Sequence, residues 1–83
     1  MSFDDNSIWA THVIAGAFNI FEIEIVQVSP IVLAIDFTVE TEEQSEEFIS
    51  ALCKYFDSQF DDGVSYTSIQ HSTGEVQLTI RVD

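Results

Sequence analysis

Carboxylates are the groups in this sequence with most chemistry to offer. There are fifteen Asp and Glu against two basic residues, Lys54 and Arg81, which leaves a net charge of −13. Carboxylates in pairs can transfer protons, in clusters can hold cations, and in rows can receive Lys and Arg side chains. Two rows stand out. Glu22, Glu24, Asp36 and Glu40 alternate along two segments of strand-like pattern. Glu43, Glu46, Glu47 and Asp57 lie in a segment of helix-like pattern, with Glu42 beside them. Alternate strand residues repeat at about 6.6 Å. Helix neighbours three or four apart repeat at about 5–6 Å. Either row could occupy Lys and Arg side chains that otherwise hold backbone phosphates.

The other chemistries find little support. Asp57…Asp61-Asp62-Gly63 lacks the ligand spacing of a calcium loop. His12 and His71 are far apart in the chain and read as surface or partly buried histidines, so neither a metal nor another cofactor is expected. Cys53 falls on the apolar side of its helix and reads as a packed small hydrophobe. Three glycines make no phosphate-binding loop, and no nucleophile elbow surrounds the serines. Trp9, Tyr55, Tyr66 and the seven Phe residues read mainly as core, with Trp9 or Tyr55 at an interface edge as the alternative. A small sheet under one helix offers little concavity for a dry active site, so a non-enzymatic role is expected.

Charge narrows the partners. Binding to nucleic acid is driven by Lys and Arg displacing counterions, and two bases cannot supply it. Anionic membrane surfaces are disfavoured by the same repulsion. The longest charge-free stretch that is also mostly apolar, Asn6–Phe21, is too short and polar to span a bilayer. The first twenty residues carry no Lys or Arg, so no secretory signal is expected, and a lone cysteine suits a reducing compartment. The expectation is a cytoplasmic protein with a basic protein partner, since opposite fields steer association.

The elements that must position these groups follow from pattern. With 83 residues, 46% hydrophobic and only four Pro plus Gly, residues 1–83 read as a single ordered domain. A polar start, Met1–Ser7, leads into residues 8–18. As a strand these would alternate Trp9, Thr11 and Val13 against Ile8, Ala10, His12 and Ile14. As a helix they would start from Asn6 or Ser7 as cap. The β-branched residues lean toward the strand. Ile20–Val28 and Ile31–Glu40 alternate as a hairpin about Ser29-Pro30, with Phe21, Ile23 and Ile25 buried against Ile31, Leu33, Ile35, Phe37 and Val39. Facing residues share a face, so the index sum of paired residues must be even. A sum of 58 or 60 sets Asp36 across from Glu22 or Glu24, and requires a turn of three or five residues or a bulge. Val26, Val28, Val32 and Ala34 would then share the outer face, covered by the N-terminal segment, by a second subunit in a homodimer, or by a partner.

Thr41-Glu42-Glu43-Gln44 fits a capping box, opening a helix to about Phe60 with Phe48, Ile49, Leu52, Cys53, Phe56 and Phe60 on one side and Gly63 ending it. Val64–His71 and Val76–Val82 make a second hairpin. The fold expected is α+β, an antiparallel four- or five-stranded sheet built as hairpin–helix–hairpin, with one main helix packed on one face.

Like charges opposed on a sheet destabilise it, and no base lies in the first hairpin to relieve Glu22, Glu24 and Asp36. Charge kept at such a cost points to use. The leading expectation is a small acidic inhibitor that binds a basic nucleic-acid-binding effector or nuclease and blocks its DNA or RNA site. Such a nucleic-acid mimic would include anti-defence proteins of the anti-CRISPR or anti-restriction type made by phages and mobile elements. The alternatives are an immunity protein or antitoxin that neutralises a basic toxin, and a structural or adaptor module, dimeric or not.

Overall fold

A computed structural model describes residues 2–83; Met1, with which the expected polar start opens, lies outside them. The elements run α1 (Asp5–Ala17), β1 (Ile23–Val28), β2 (Val32–Thr38), α2 (Glu42–Gln59), β3 (Val64–Ser72) and β4 (Glu75–Val82). The four strands form one antiparallel sheet in the order β1-β2-β4-β3. The expected α+β class and the helix on one face of the sheet are both present.

Residues 8–18 are helical, which corrects the lean toward a strand. Asp4 caps α1: its Oδ1 accepts from the backbone N–H of Asn6 and Ser7, at 3.0 and 3.2 Å. Ser7 Oγ accepts in return from the Asp4 N–H, closing a capping box two to three residues ahead of the expected caps. Thr11 is buried, and its hydroxyl donates to the Ser7 carbonyl at 2.8 Å, so this β-branched residue leaves no unpaired group. The helix ends in a Schellman motif. Asn19 takes a φ of 61° and donates to Gly16 O, while Ile20 donates to Ala15 O. Ile20 and Ala15 are both buried there. Helical periodicity was hidden because the outward side of α1 is also apolar: Trp9 and Val13 are 68% and 51% exposed.

α1 packs beside α2, with Phe3 against Phe56 and Phe60 at 5.2 and 4.9 Å between ring centroids. It therefore lies on the helix side of the sheet and leaves the outer face uncovered, contrary to the expected N-terminal cover. Gln44 joins the two helices. Thr41 Oγ1 accepts from Gln44 N–H, Gln44 Oε1 accepts from Glu40 N–H at 2.7 Å, and Gln44 Nε2 donates to Phe18 O at 2.7 Å. The core between layers is Leu33, Ile35, Phe37, Leu78 and Ile80 from the sheet and Phe48, Leu52 and Phe56 from α2. At the far end of α2, Gly63 has a φ of 78°, and a Cβ there would fall 2.6 Å from Asp57 Oδ1.

The first hairpin resolves the parity conflict with a bulge. Ile23↔Phe37, Glu24↔Asp36 and Ile25↔Ile35 pair with an even sum, then Gln27↔Ala34 and Val28↔Leu33 with an odd one. Val26 is the extra residue. Beyond it the strand faces are exchanged: Val28 shares the helix side with Leu33, and Gln27 takes the outer face. The expected outer patch of Val26, Val28, Val32 and Ala34 is thus broken up, and Ala34 is buried among its neighbours. Two residues expected inward, Phe21 and Ile31, fall outside the strands and are 78% and 60% exposed.

Candidate protein-binding surface

The outer sheet face is open to solvent, and register lays out its residues in rows. One row runs Glu24, Asp36, Gln77, Ile69 across the four strands. Four residues along the strands, the row Val32, Arg81, Ser65 lies about 13 Å away. Arg81 is thereby held far from the carboxylates it could have neutralised.

Around the first row lies a depression of about 440 Å³, lined by Glu22, Glu24, Asp36, Thr38, His71 and Glu75. Glu22 precedes β1, Glu24 stands exposed on it, and Asp36 is half-buried on β2. Glu24 and Asp36 are direct cross-strand partners, so their Cβ atoms stand about 5 Å apart. Asp36 Oδ1 is buried with no hydrogen-bond partner. Glu75 reaches this place through the β2–β4 pairing, where it is opposite Thr38, and its Oε2 accepts from Ser72 Oγ at 2.8 Å. His71 is the extra residue of a bulge in β3, and its Nε2 lies 2.8 Å from Gln77 Oε1.

The sequence-derived residues divide accordingly. Glu22, Glu24 and Asp36 come together. Glu40 does not alternate with them, because β2 stops at Thr38; it lies in the β2–α2 connection, beside Glu42 and Gly74. Glu43, Glu46 and Glu47 are exposed on the first half of α2. Asp57 stands apart at the other end of α2, where its Oδ1 accepts the Val64 N–H at 3.0 Å; that is a local structural task. Glu75 and His71 were missed. Both sit next to the second hairpin's turn, and only the non-local β2–β4 pairing brings them to Asp36.

The ends of the molecule differ. The α2 N-terminus, the β3–β4 turn and the start of β1 share one end. It carries Glu22, Glu24, Asp36, Glu40, Glu42, Glu43, Glu46, Glu47 and Glu75, nine of the fifteen acids and neither base. The opposite end carries Asp4, Asp5, Asp57, Asp61, Asp62 and Asp83, with Arg81 close by and Lys54 on the second half of α2. The acid-rich end thus carries carboxylates on both layers, on the outer sheet face and on the first half of α2.

Among the described residues no three His, Cys, Asp or Glu side chains converge as a metal site. Among the same described residues no helix is long and apolar enough to cross a membrane. Cys53 is half-buried, and burial, with Asp57 nearby, pushes its thiol pKa up to about 11. A thiol so raised is a poor nucleophile at neutral pH. Comparison with protein-family models, curated proteins and solved structures finds no match to this chain.

Proposed function

We propose that this chain is a small binding protein, not an enzyme, that occupies the positively charged site of a nucleic-acid-binding protein and keeps DNA or RNA out of it. The single observation that carries this reading is the opposed Glu24–Asp36 pair, set with Glu22 and Glu75 in an open depression lined by neither Lys nor Arg. The free protein bears that repulsion, and a partner's Lys or Arg side chains relieve it. Arg suits the place best, since its planar guanidinium can donate to two carboxylates at once. The neighbouring acids of α2 extend the attraction around the same end and raise the association rate.

The test starts from nuclease-treated cell extract passed over the immobilised protein and washed at about 50 mM and then about 300 mM salt. The expected partner is a nucleic-acid-binding protein that leaves at the higher salt and is displaced by DNA or RNA. Changing Glu22, Glu24 and Asp36 together to Lys is expected to weaken that binding by at least about a hundredfold. The same reversal at Glu43, Glu46 and Glu47 is expected to slow association more than it speeds release. Binding that ignores salt, survives the first triple change or coexists with bound nucleic acid overturns the proposal.

A further inference from the structure

The two edges of the sheet are unlike. β1 is short, carries Glu24, and is interrupted by the bulge at Val26, three devices that keep an edge from pairing. β3 lacks the first two and is uninterrupted as far as Gln70. It is nine residues long, and no Asp, Glu, Lys, Arg or Pro occurs from Gly63 to Gly74. Its one bulge lies at the end, at His71. Ser65 to Ser72 are all exposed, with Tyr66 and Ile69 at 55% and 52%. Tyr66 and Ser68 face the helix side, but α2 leaves a groove of about 510 Å³ beside them, lined also by Glu46, Ile49, Ser50 and Cys53. β3 therefore presents a row of free backbone donors and acceptors with side chains suited to a strand.

We propose that β3 is a self-association edge: two copies pair antiparallel, β3 to β3, about a two-fold axis near Thr67 and Ser68, and form one eight-stranded sheet. Charge decides for a second copy as the occupant. A molecule of net charge −13 repels itself over most of its surface, and β3 is a strand whose own side chains bring no carboxylate to such a pairing, Glu46 of α2 standing in the groove beside it. Pairing within 64–71 with an even index sum keeps both helix layers on the same side. It opposes only uncharged side chains, such as Thr67 with Thr67 or Ser65 with Ile69. Antiparallel pairing also sets the acid-rich end of one copy beside the acid-poor end of the other. Across the strands between them, the two Asp36 carboxylates then lie about 25 Å apart, more than twice the Debye length at 0.1 M salt. The dimer is closed, because the protected β1 strands become its outer edges. Both acidic depressions remain free, one near each end.

Sedimentation equilibrium of the whole chain at about 50 and about 500 mM salt tests the proposal. Dimerisation is expected to tighten several-fold at the higher salt, the opposite of the change expected for a basic partner. The two proposals can therefore fail independently. Thr67→Glu is expected to weaken the dimer by at least about tenfold, since it sets new like charges near the axis. Val13→Glu, on the exposed side of α1, is expected to leave it unchanged. In the unaltered protein, amide exchange of residues 64–70 is expected to slow as concentration rises, which decides the matter should the Thr67 variant not fold. A monomer at every concentration overturns the proposal. So does a dimer that loosens with salt, one that resists Thr67→Glu, or one broken by Val13→Glu.

Discussion

Glu24→Lys is expected to make this protein more stable, although it inserts a long side chain on an exposed strand. Glu24 faces Asp36 directly across β1 and β2, with Cβ atoms about 5 Å apart. Glu24 is exposed, so the effective dielectric lies toward the water end of its range. Two like charges about 6 Å apart then repel by about 0.7 kcal/mol. Reversing one sign turns that repulsion into an attraction of similar size. After the entropy of ordering the lysine, about 1 kcal/mol of gain remains. For a chain of 83 residues this raises Tm by about 4–8 °C. Thermal and urea unfolding at about 20 and about 500 mM salt provide the assay. At low salt the variant is expected to unfold at the higher midpoint with an unchanged m value. At high salt the gap is expected to shrink, because the unaltered protein gains from screening. Glu24→Gln is expected to give about half the gain. The Glu24→Lys gain is also expected to fall when Asp36→Asn is made with it, as coupled neighbours require. A low-salt midpoint at or below that of the unaltered protein refutes the reasoning, as does a gain independent of Asp36.

Two further outcomes test the fold. Asp4→Ala removes the acceptor for the Asn6 and Ser7 N–H groups and is expected to cost about 1 kcal/mol, seen as a lower unfolding midpoint with weaker helical circular dichroism. An unchanged midpoint would mean that packing against α2 alone holds α1. Cys53, with its thiol pKa near 11, is expected to react with iodoacetamide at pH 8 roughly a hundredfold more slowly than a free cysteine. Its rate should climb as pH rises toward 11, since the folded protein retains the proton that a free thiol loses near pH 8.5. A rate like that of free cysteine would show that the groove between α2 and β3 leaves the thiolate solvated.

Local information was legible wherever pattern and punctuation agreed. β2 alternates over its whole length, α2 carries apolar residues at spacings of three and four behind Thr41, and Gly74 turns the second hairpin at a φ of 82°. These are short-range constraints, and residue order alone expresses them. Parity alone also allowed Glu24 opposite Asp36, because a buried face fixes which residues can oppose one another. The bulge was legible as a need but not as a place. Val26, Gln27 and Val28 are each compatible with either face, and only pairing with Ala34 and Leu33 assigns them.

Tertiary structure decided the rest. α1 is a helix because Asp4 and Ser7 cap it and α2 buries one side of it, while its outward Trp9 and Val13 erase the amphipathic signal. The acidic depression depends on β2 pairing with β4, a choice between strands far apart in the chain that no local pattern encodes. That pairing carries Glu75 and His71 to Asp36 and leaves Arg81 about 13 Å away along the sheet. Composition by itself determined that this protein is strongly anionic. The way the strands and α2 are joined and paired decided that nine of its carboxylates share one end with neither Lys54 nor Arg81 among them, because backbone pairing and core packing outweigh the roughly 0.2–1 kcal/mol per opposed pair that separating those charges would return.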